Sequence, residues 1–222
     1  DKLLLIYAID MIKKMKAADP AVVPCVVSEV KCSQVLFDTI NKIGGKSIMC
    51  KTGHGYIKSE MKASGALLAG EMSGHTFFKD SYFGYDDAVY AGCRIIEIIA
   101  ERKKSDPNFK IQSLLTPFDE VFTSDEVRYP CPNQLKKTVL AQMKQIVEQN
   151  KELFGDEIKD IVTLDGMRVV FDGGFALIRQ SNTEPVFTLR FEGKTEELAK
   201  MYQNAMISTL DKCLDEQKAL LL

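Results

Sequence analysis

Histidine is scarce in this sequence of 222 residues. The chain contains two histidines, and its six cysteines occur without a Cys-x-x-Cys pair or a repeated spacing. Because neither histidine has a ligand spacing with a cysteine, the pattern favours neither a disulfide framework nor a transition-metal site. We therefore expect reduced thiols, a cytoplasmic location and no metal ligand in this chain.

Strong charge of one sign and long apolar runs are also missing. The formal net charge is -2 and the pI is about 5.8, so the composition predicts no nucleic-acid partner and no membrane surface. The apolar stretch 3–9 is interrupted by Asp10 and Lys13, well short of the length of a bilayer span. It is predicted as a buried helix, and no signal peptide or membrane span is expected.

Helix and strand patterns alternate in the first half of the chain. The predicted order is helix 2–18, strand 22–27, helix 33–43, strand 46–50, helix 56–63, strand 67–69 and helix 86–102. Such alternation predicts a parallel or mixed sheet covered by helices, with ligand loops at the strand ends.

The second half follows a polar segment, residues 103–124, which contains two prolines and is the predicted linker. From residue 121, at the end of this segment, the predicted order is strand 121–129, helix 132–154, strands 158–164, 167–171, 175–178 and 186–191, and a helix 195–218 capped by Thr195. The predicted fold class is therefore α/β. A mixed-sheet α/β domain with helices on both faces, residues 1–115, precedes a smaller α+β domain, residues 116–222, with an antiparallel sheet flanked by helices.

Two short polar segments carry most of the chemical information. Residues 70–75, Gly-Glu-Met-Ser-Gly-His, place a carboxylate, a hydroxyl and an imidazole between glycines, which suits the edge of a polyhydroxylated ligand. Residues 179–185, Arg-Gln-Ser-Asn-Thr-Glu-Pro, join an arginine to a tight polar turn, which suits a phosphate. Together they predict a sugar phosphate ligand. For residues 70–75 the alternative is a hairpin turn whose polar side chains face water. For residues 181–183, Ser-Asn-Thr, the alternative is that these residues only stabilise a turn.

At these residues the chain resembles the α-D-phosphohexomutase family, over essentially its whole length. The resemblance is carried by Ser28-Glu-Val-Lys-Cys32, Lys51-Thr-Gly-His54, Gly70-Glu-Met-Ser-Gly-His-Thr-Phe-Phe-Lys79, Phe83-Gly-Tyr-Asp-Asp87, Thr163-Leu-Asp-Gly166, Arg179-Gln-Ser-Asn-Thr183 and Leu189-Arg-Phe-Glu192. Family enzymes interconvert hexose 1-phosphates and 6-phosphates through a phosphoserine and a hexose 1,6-bisphosphate. Mannose and glucose are the sugars that the resemblance implies here.

The family has four domains, and this chain resembles the third and fourth. The resemblance implies that the phosphoserine lies in the first domain and that the second domain binds Mg²⁺ through an aspartate-rich loop. Neither loop is recognisable in this sequence. We therefore expect a fragment whose missing N-terminal domains are its partners, which binds hexose phosphates and is inactive alone. The alternative is a non-catalytic sugar-phosphate-binding module built from two mutase domains.

For residues 1–115 of this chain, which resemble the family's third domain, the resemblance implies five site residues. Glu71 and Ser73 correspond to the sugar-recognition loop, and His75 to the candidate for proton transfer at the reacting hydroxyl, as general base or as hydrogen-bond partner. Lys31 corresponds to an active-site lysine, with a solvated lysine at a strand end as the alternative. His54 corresponds to a ligand contact, with helix capping or loop bracing as the alternative.

For the second domain, the resemblance assigns the distal phosphate to Arg179, Ser181, Asn182 and Thr183. A guanidinium matches phosphate with two parallel hydrogen bonds, and the turn offers hydroxyl and amide donors. Many family members carry a second threonine where this chain has Glu184, whose carboxylate is expected to point away from the phosphate.

Overall fold

The computed structural model describes residues 1–220, except for the side chains of residues 119 and 120. The chain divides into two units, Asp1–Asp119 and Glu120–Leu222. No helix within the described residues combines the length and the apolarity that crossing a bilayer requires.

The sheet of the first unit is mixed. Its strands are β1 (Cys25–Glu29), β2 (Lys46–Cys50), β3 (Leu68–Gly70) and β4 (Thr76–Phe78), in the order β2-β1-β3-β4. Strand β1 pairs in parallel with β2 and β3, and β4 runs antiparallel to β3. The carboxyl ends of the three parallel strands therefore meet at one edge, where open α/β sheets bind ligands.

Helices cover both faces of this sheet. They are α1 (Lys2–Ala18), α2 (Gln34–Lys42), α3 (His54–Ser64) and α4 (Ala88–Ser105). Helices α1, α2 and α4 contribute to a core with Val26 and Leu68, whereas α3 packs with the adjacent strand residues Val27 and Ala69. Neighbouring strand residues point to opposite faces of a sheet, so the predicted mixed sheet with helices on both faces is confirmed.

The second unit contains an antiparallel sheet and two long helices. Its elements are β5 (Phe122–Thr123), β6 (Val127–Pro130), α5 (Lys136–Gln149), β7 (Asp160–Val162), β8 (Met167–Phe171), β9 (Gly174–Gln180), β10 (Val186–Gly193) and α6 (Glu196–Ala219). The strand order is β5-β10-β9-β8-β7, with β6 also paired to β10. Helices α5 and α6 share one core with the sheet, so the predicted α+β layer is confirmed.

Several predicted elements differ from the structure. The run 121–129 is two strands rather than one, since β5 and β6 pair with different parts of β10. The helix expected at 132–154 spans only Lys136–Gln149, because a turn precedes it, in which the Leu135 amide donates to the Pro132 carbonyl. The predicted linker contains a 3-10 helix, Ile111–Glu120, and its Phe118 is buried in the first unit.

Candidate functional site

The loop 70–75 is the hairpin that joins β3 to β4. The Glu71 amide donates to the His75 carbonyl over 2.9 Å, and the Gly74 amide donates to the Glu71 carbonyl over 3.1 Å. Gly74 has a φ of 103°, a conformation that glycine adopts without strain. At Gly70, a Cβ would stand 2.9 Å from the His75 carbonyl oxygen. The two glycines therefore permit a tight turn that places Glu71 and His75 side by side.

Glu71 is a buried carboxylate with a free oxygen. The residue is 7% exposed, and its Oε2 accepts a hydrogen bond of 3.1 Å from the Ser73 hydroxyl. Its Oε1 is buried and has no partner among the described residues. Burying a carboxylate oxygen without a donor is unfavourable by about 1–3 kcal/mol or more. The alternative in which the loop's polar side chains simply face water is therefore wrong for Glu71.

His75 is held by a carboxylate from the segment that precedes α4. Its Nδ1 lies 2.7 Å from Asp86 Oδ2, and Asp86 Oδ1 accepts from the Thr76 amide over 3.1 Å. Because a carboxylate only accepts hydrogen bonds, Nδ1 carries the proton and Nε2 is directed to other partners. Asp86 was not predicted as a site residue, although it lies in the Phe83–Asp87 motif.

His54 lies beside His75, as the first residue of α3 after the end of β2. The two imidazole centroids are 4.6 Å apart, and His54 also contacts Phe77 edge-on at 5.1 Å. The N-cap of α3 is Gly53, without a side-chain capping bond, so the capping alternative for His54 is wrong. The side chains of His54 and His75 are 43% and 47% exposed, and both are accessible to a ligand.

Lys31 follows β1 and is 9% exposed, which rules out the alternative of a solvated lysine at a strand end. Its Nζ lies 3.8 Å from Glu29 Oε1. Glu29 is fully buried and accepts from the Lys31 amide at 3.1 Å, the Thr52 hydroxyl at 2.6 Å and the Met72 amide at 3.1 Å. Glu29 thus ties the ends of β1 and β2 to the loop 70–75, a positioning role that the sequence did not predict.

The aromatic residues that follow β4 differ in burial. Phe77 and Phe78 are in the core, whereas Phe83 and Tyr85 are 77% and 45% exposed. Hydrogen bonds to Tyr85 and to Asp87 raise the pKa of Tyr82, so its hydroxyl stays protonated. The backbone amide of Tyr90 and the Tyr82 hydroxyl lower the pKa of Asp87, which caps α4. This network fixes the segment that supplies Asp86.

In the second unit, Arg179 occupies the penultimate position of β9 and is 5% exposed. Its Nε donates to Asp165 Oδ2 over 3.1 Å, and its Nη1 to the Thr188 hydroxyl over 3.4 Å. Nη2 donates to no residue that the structure describes. The guanidinium is thereby fixed in direction while one edge remains available, as bidentate binding of an anion requires.

The turn 181–185 connects β9 to β10. Ser181 Oγ accepts from the Glu184 amide over 3.2 Å and from the Thr183 amide over 3.4 Å. Turn chemistry therefore accounts for part of the Ser-Asn-Thr pattern, and the Ser181 hydroxyl hydrogen remains available as a donor. Asn182 and Thr183 are exposed.

A buried lysine braces this turn. Lys136 is 5% exposed, and its ammonium donates to the carbonyl of Ser181 over 3.0 Å and to that of Glu184. The Glu184 carboxylate pairs with Arg128, which gives it a cationic partner within the protein. The sequence did not predict the contacts of Lys136 and Arg128 with this turn, because both residues lie far from it in the chain.

Comparisons with known proteins agree with this architecture. Residues 1–115 match the model of the phosphoglucomutase/phosphomannomutase alpha/beta/alpha domain III, and residues 126–208 match the C-terminal domain of the same enzymes. The chain therefore belongs to the phosphoglucomutase/phosphomannomutase family, that is, to the α-D-phosphohexomutases.

Its relatives include bacterial enzymes of this family. It is 35% identical to phosphomannomutase/phosphoglucomutase of Pseudomonas syringae pv. tomato over 96% of this chain, and 36% identical to phosphoglucomutase of Neisseria gonorrhoeae over 95%. It spans 42% of the length of each. A crystal structure of a phosphoglucomutase/phosphomannomutase family protein from Burkholderia thailandensis superimposes with a TM-score of 0.77 at 30% identity. That match covers 96% of this chain and 41% of the other.

Proposed function

We propose that this chain supplies sugar and distal-phosphate recognition to a phosphohexomutase that interconverts hexose 1-phosphates and 6-phosphates of mannose or glucose. The observation that carries the proposal is the buried Oε1 of Glu71, which lacks a donor among the described residues. A sugar hydroxyl supplies that donor through a charge-assisted hydrogen bond. Residues 1–115 form the sugar-recognising domain and residues 116–222 the phosphate-binding domain.

Each site residue has a distinct role in this proposal. Glu71 and Ser73 bind neighbouring hydroxyls of the sugar. His75 exchanges a proton with the reacting hydroxyl through Nε2, since Asp86 holds the Nδ1 proton. His54 contacts the ligand beside His75, and Lys31 balances phosphate charge near the reacting oxygen.

The phosphate that does not react is held in the second unit. Arg179 binds it with the edge of the guanidinium that Asp165 and Thr188 leave available. Ser181, Asn182 and Thr183 donate from the turn. In a hexose 1,6-bisphosphate intermediate, either phosphate occupies this position in turn, so one loop serves both orientations of the sugar.

The residues of this chain do not fit the magnesium ion of the family. Mg²⁺ prefers oxygen ligands in octahedral geometry, whereas the candidate cluster of this chain, His54, Glu71 and His75, offers two imidazoles and one carboxylate. We therefore assign Mg²⁺ and the phosphoserine to the N-terminal domains of the parent enzyme, which are the partners of this chain in the cytoplasm.

Two conservative substitutions separate the sugar site from the phosphate site. Arg179→Lys keeps the charge and loses the bidentate edge, so affinity for inorganic phosphate and for mannose 1-phosphate should both fall, by roughly 1–3 kcal/mol. Glu71→Gln keeps the size and loses the anionic acceptor, so only mannose 1-phosphate binding should weaken. Heteronuclear NMR titrations of the purified chain measure both affinities.

Arg128→Lys is the matched control, since Arg128 lies beside the same turn but its side chain is 49% exposed and pairs with Glu184. It should change phosphate affinity little, and thermal unfolding should show that all variants are folded. An equal loss of inorganic phosphate affinity in Glu71→Gln and Arg179→Lys would contradict the proposed division between the two sites.

The purified chain alone should show no mutase turnover, because the proposed phosphoryl donor lies in other domains. A coupled assay with mannose 1-phosphate and added bisphosphate tests this prediction, and measurable conversion would contradict the assignment.

The alternative, a sugar-phosphate-binding module without catalysis, is distinguished by the gene sequence upstream of residue 1. A serine loop and an aspartate-rich loop there support the mutase, and their absence supports the binding module.

A further inference from the structure

We propose that His54, Glu71 and His75 also form a binding site for a first-row transition-metal dication of the Zn²⁺ class. One potential ligand atom from each residue lies within 4.8 Å of the other two. Ligand atoms around tetrahedral Zn²⁺ are about 3.3 Å apart at the usual bond lengths of about 2.0–2.1 Å. Bringing the three ligand atoms to that spacing needs side-chain shifts of about 1 Å or slightly more. The partly exposed His54 imidazole can supply part of this movement by turning, while His75 stays on Asp86.

The unpartnered oxygen of Glu71 is an independent indication of a ligand at this position. Glu71 is 7% exposed, and its side-chain conformation is restrained because Ser73 donates to Oε2. A dication bound to Oε1 removes the penalty of a buried anionic oxygen without a donor. Glu71 thus contributes a restrained anionic ligand, and the two imidazoles contribute neutral ones.

Asp86 provides the outer support that such sites use. Histidines that ligate metals commonly donate their other ring N–H to a carboxylate, which fixes the tautomer and the ring orientation. The contact of 2.7 Å between His75 Nδ1 and Asp86 Oδ2 has this arrangement and leaves Nε2 for a metal. Three protein ligands with an open fourth position for water are typical of an accessible Zn²⁺ site.

The donor set also selects the class of metal. Imidazole nitrogen favours zinc, cobalt, nickel and copper over magnesium and calcium, which prefer all-oxygen sites. The proposal departs from the sequence-based expectation of no metal ligand. That expectation rested on the spacing between histidine and cysteine, whereas the two histidines converge here from the first residue of α3 and from the loop residue that precedes β4.

A bound metal competes with the sugar for the same side chains, an inference that rests on the proposed function. The Glu71 oxygen that accepts the sugar hydroxyl is the same oxygen that binds the dication. His75 Nε2, which is assigned to proton exchange with the sugar, is also occupied when it coordinates the metal. Metal and hexose phosphate therefore exclude one another, so the metal acts as an inhibitor of the first unit.

Cobalt titration of the untagged chain under reducing, phosphate-free conditions tests the site. Co²⁺ is the probe because its visible spectrum reports coordination, and thiolate ligands add a separate charge-transfer band in the near ultraviolet. We expect one Co²⁺ per chain, without the thiolate band. His54→Gln, His75→Gln and Glu71→Gln should each weaken binding by more than about tenfold, and Asp86→Asn by about 10–100-fold.

Cys93→Ser is the matched control, since Cys93 is the exposed cysteine among six free thiols, and it should leave Co²⁺ binding unchanged. Circular dichroism should show native helix content in every variant. Unchanged affinity in the His54, His75 and Glu71 variants, or loss of binding in Cys93→Ser, overturns the metal site.

Mannose 1-phosphate added to the cobalt-loaded chain tests the exclusion separately. Sugar phosphate should raise the apparent Kd of Co²⁺ linearly with the ratio of its free concentration to its own Kd, which NMR measures in the absence of metal. If both ligands bind and neither displaces the other, the shared-oxygen argument is wrong. If the sugar phosphate fails to bind at all, the proposed function fails while the metal site stands.

Discussion

Gly166→Ala should lower the free energy of unfolding of the second unit by about 2–6 kcal/mol. Gly166 has a φ of 89°, and a Cβ there would stand 2.2 Å from the Ile178 carbonyl oxygen and 2.7 Å from Arg179 Cα. The backbone conformation alone disfavours alanine by roughly 1–3 kcal/mol, and overpacking against backbone atoms adds roughly 1–3 kcal/mol. Urea unfolding followed by circular dichroism measures the difference.

Gly173→Ala is the matched control for this prediction. Gly173 has the same φ of 89°, but its added Cβ would meet the side chain of Lys194, whose Cε is 2.3 Å away. A flexible lysine can move aside, whereas the β9 backbone cannot, so Gly173→Ala should show only the cost of the backbone conformation. Equal destabilisation by the two substitutions would show that contact with β9 is unimportant.

The same substitution should also weaken phosphate binding if the proposed function is correct. Relief of the clash displaces the backbone of Arg179, and with it the guanidinium that Asp165 orients. A displacement of about 1 Å is enough to disrupt bidentate geometry. Phosphate titration of the residual folded protein should therefore show a large loss in Gly166→Ala and little change in Gly173→Ala.

Glu29→Ala should destabilise the first unit by about 3 kcal/mol or more. The fully buried carboxylate accepts from the Lys31 and Met72 amides and from the Thr52 hydroxyl. Each buried donor left without an acceptor costs roughly 1–3 kcal/mol, and the truncation adds a cavity. Urea unfolding of the chain measures the loss.

Glu29→Gln should give an intermediate result, because it retains one acceptor oxygen and replaces the other with an NH2 group. One of the two backbone amides then loses its acceptor. Hydrogen exchange by NMR should show faster exchange at Met72 or Lys31 in this variant. Full stability in Glu29→Ala, together with unchanged exchange at both amides, would remove Glu29 from its positioning role.

Local signals were sufficient for the elements that carry their own caps and periodicity. The first helix, the strand 46–50 and the Thr195 cap of α6 lie where the sequence predicts them. Strand β4 was missed because its three residues are too few for a periodic pattern, and it exists by pairing with β3. The boundaries of α5 were wrong because a turn replaces its expected first residues.

The candidate site was predictable to different degrees for similar reasons. The loop 70–75 and the turn after Arg179 are continuous in sequence, so their chemistry was visible as motifs. Glu29 and Lys136 act on residues distant in the chain, whereas Asp86 acts on His75, 11 residues before it. Glu29 reaches Met72 across 43 positions, and Lys136 reaches Ser181 across 45. No local spacing encodes such contacts.

The sequence by itself determined the alternation of helices and strands, the family and the residue types that favour a sugar and a phosphate. These features follow from local patterns of apolar residues, caps and motifs. The tertiary structure alone decided that one oxygen of Glu71 is buried without a donor among the described residues and that His54 lies against His75. Burial and convergence depend on how strands pair and on which chain segments reach one sheet edge, and these contacts form only when the core is packed.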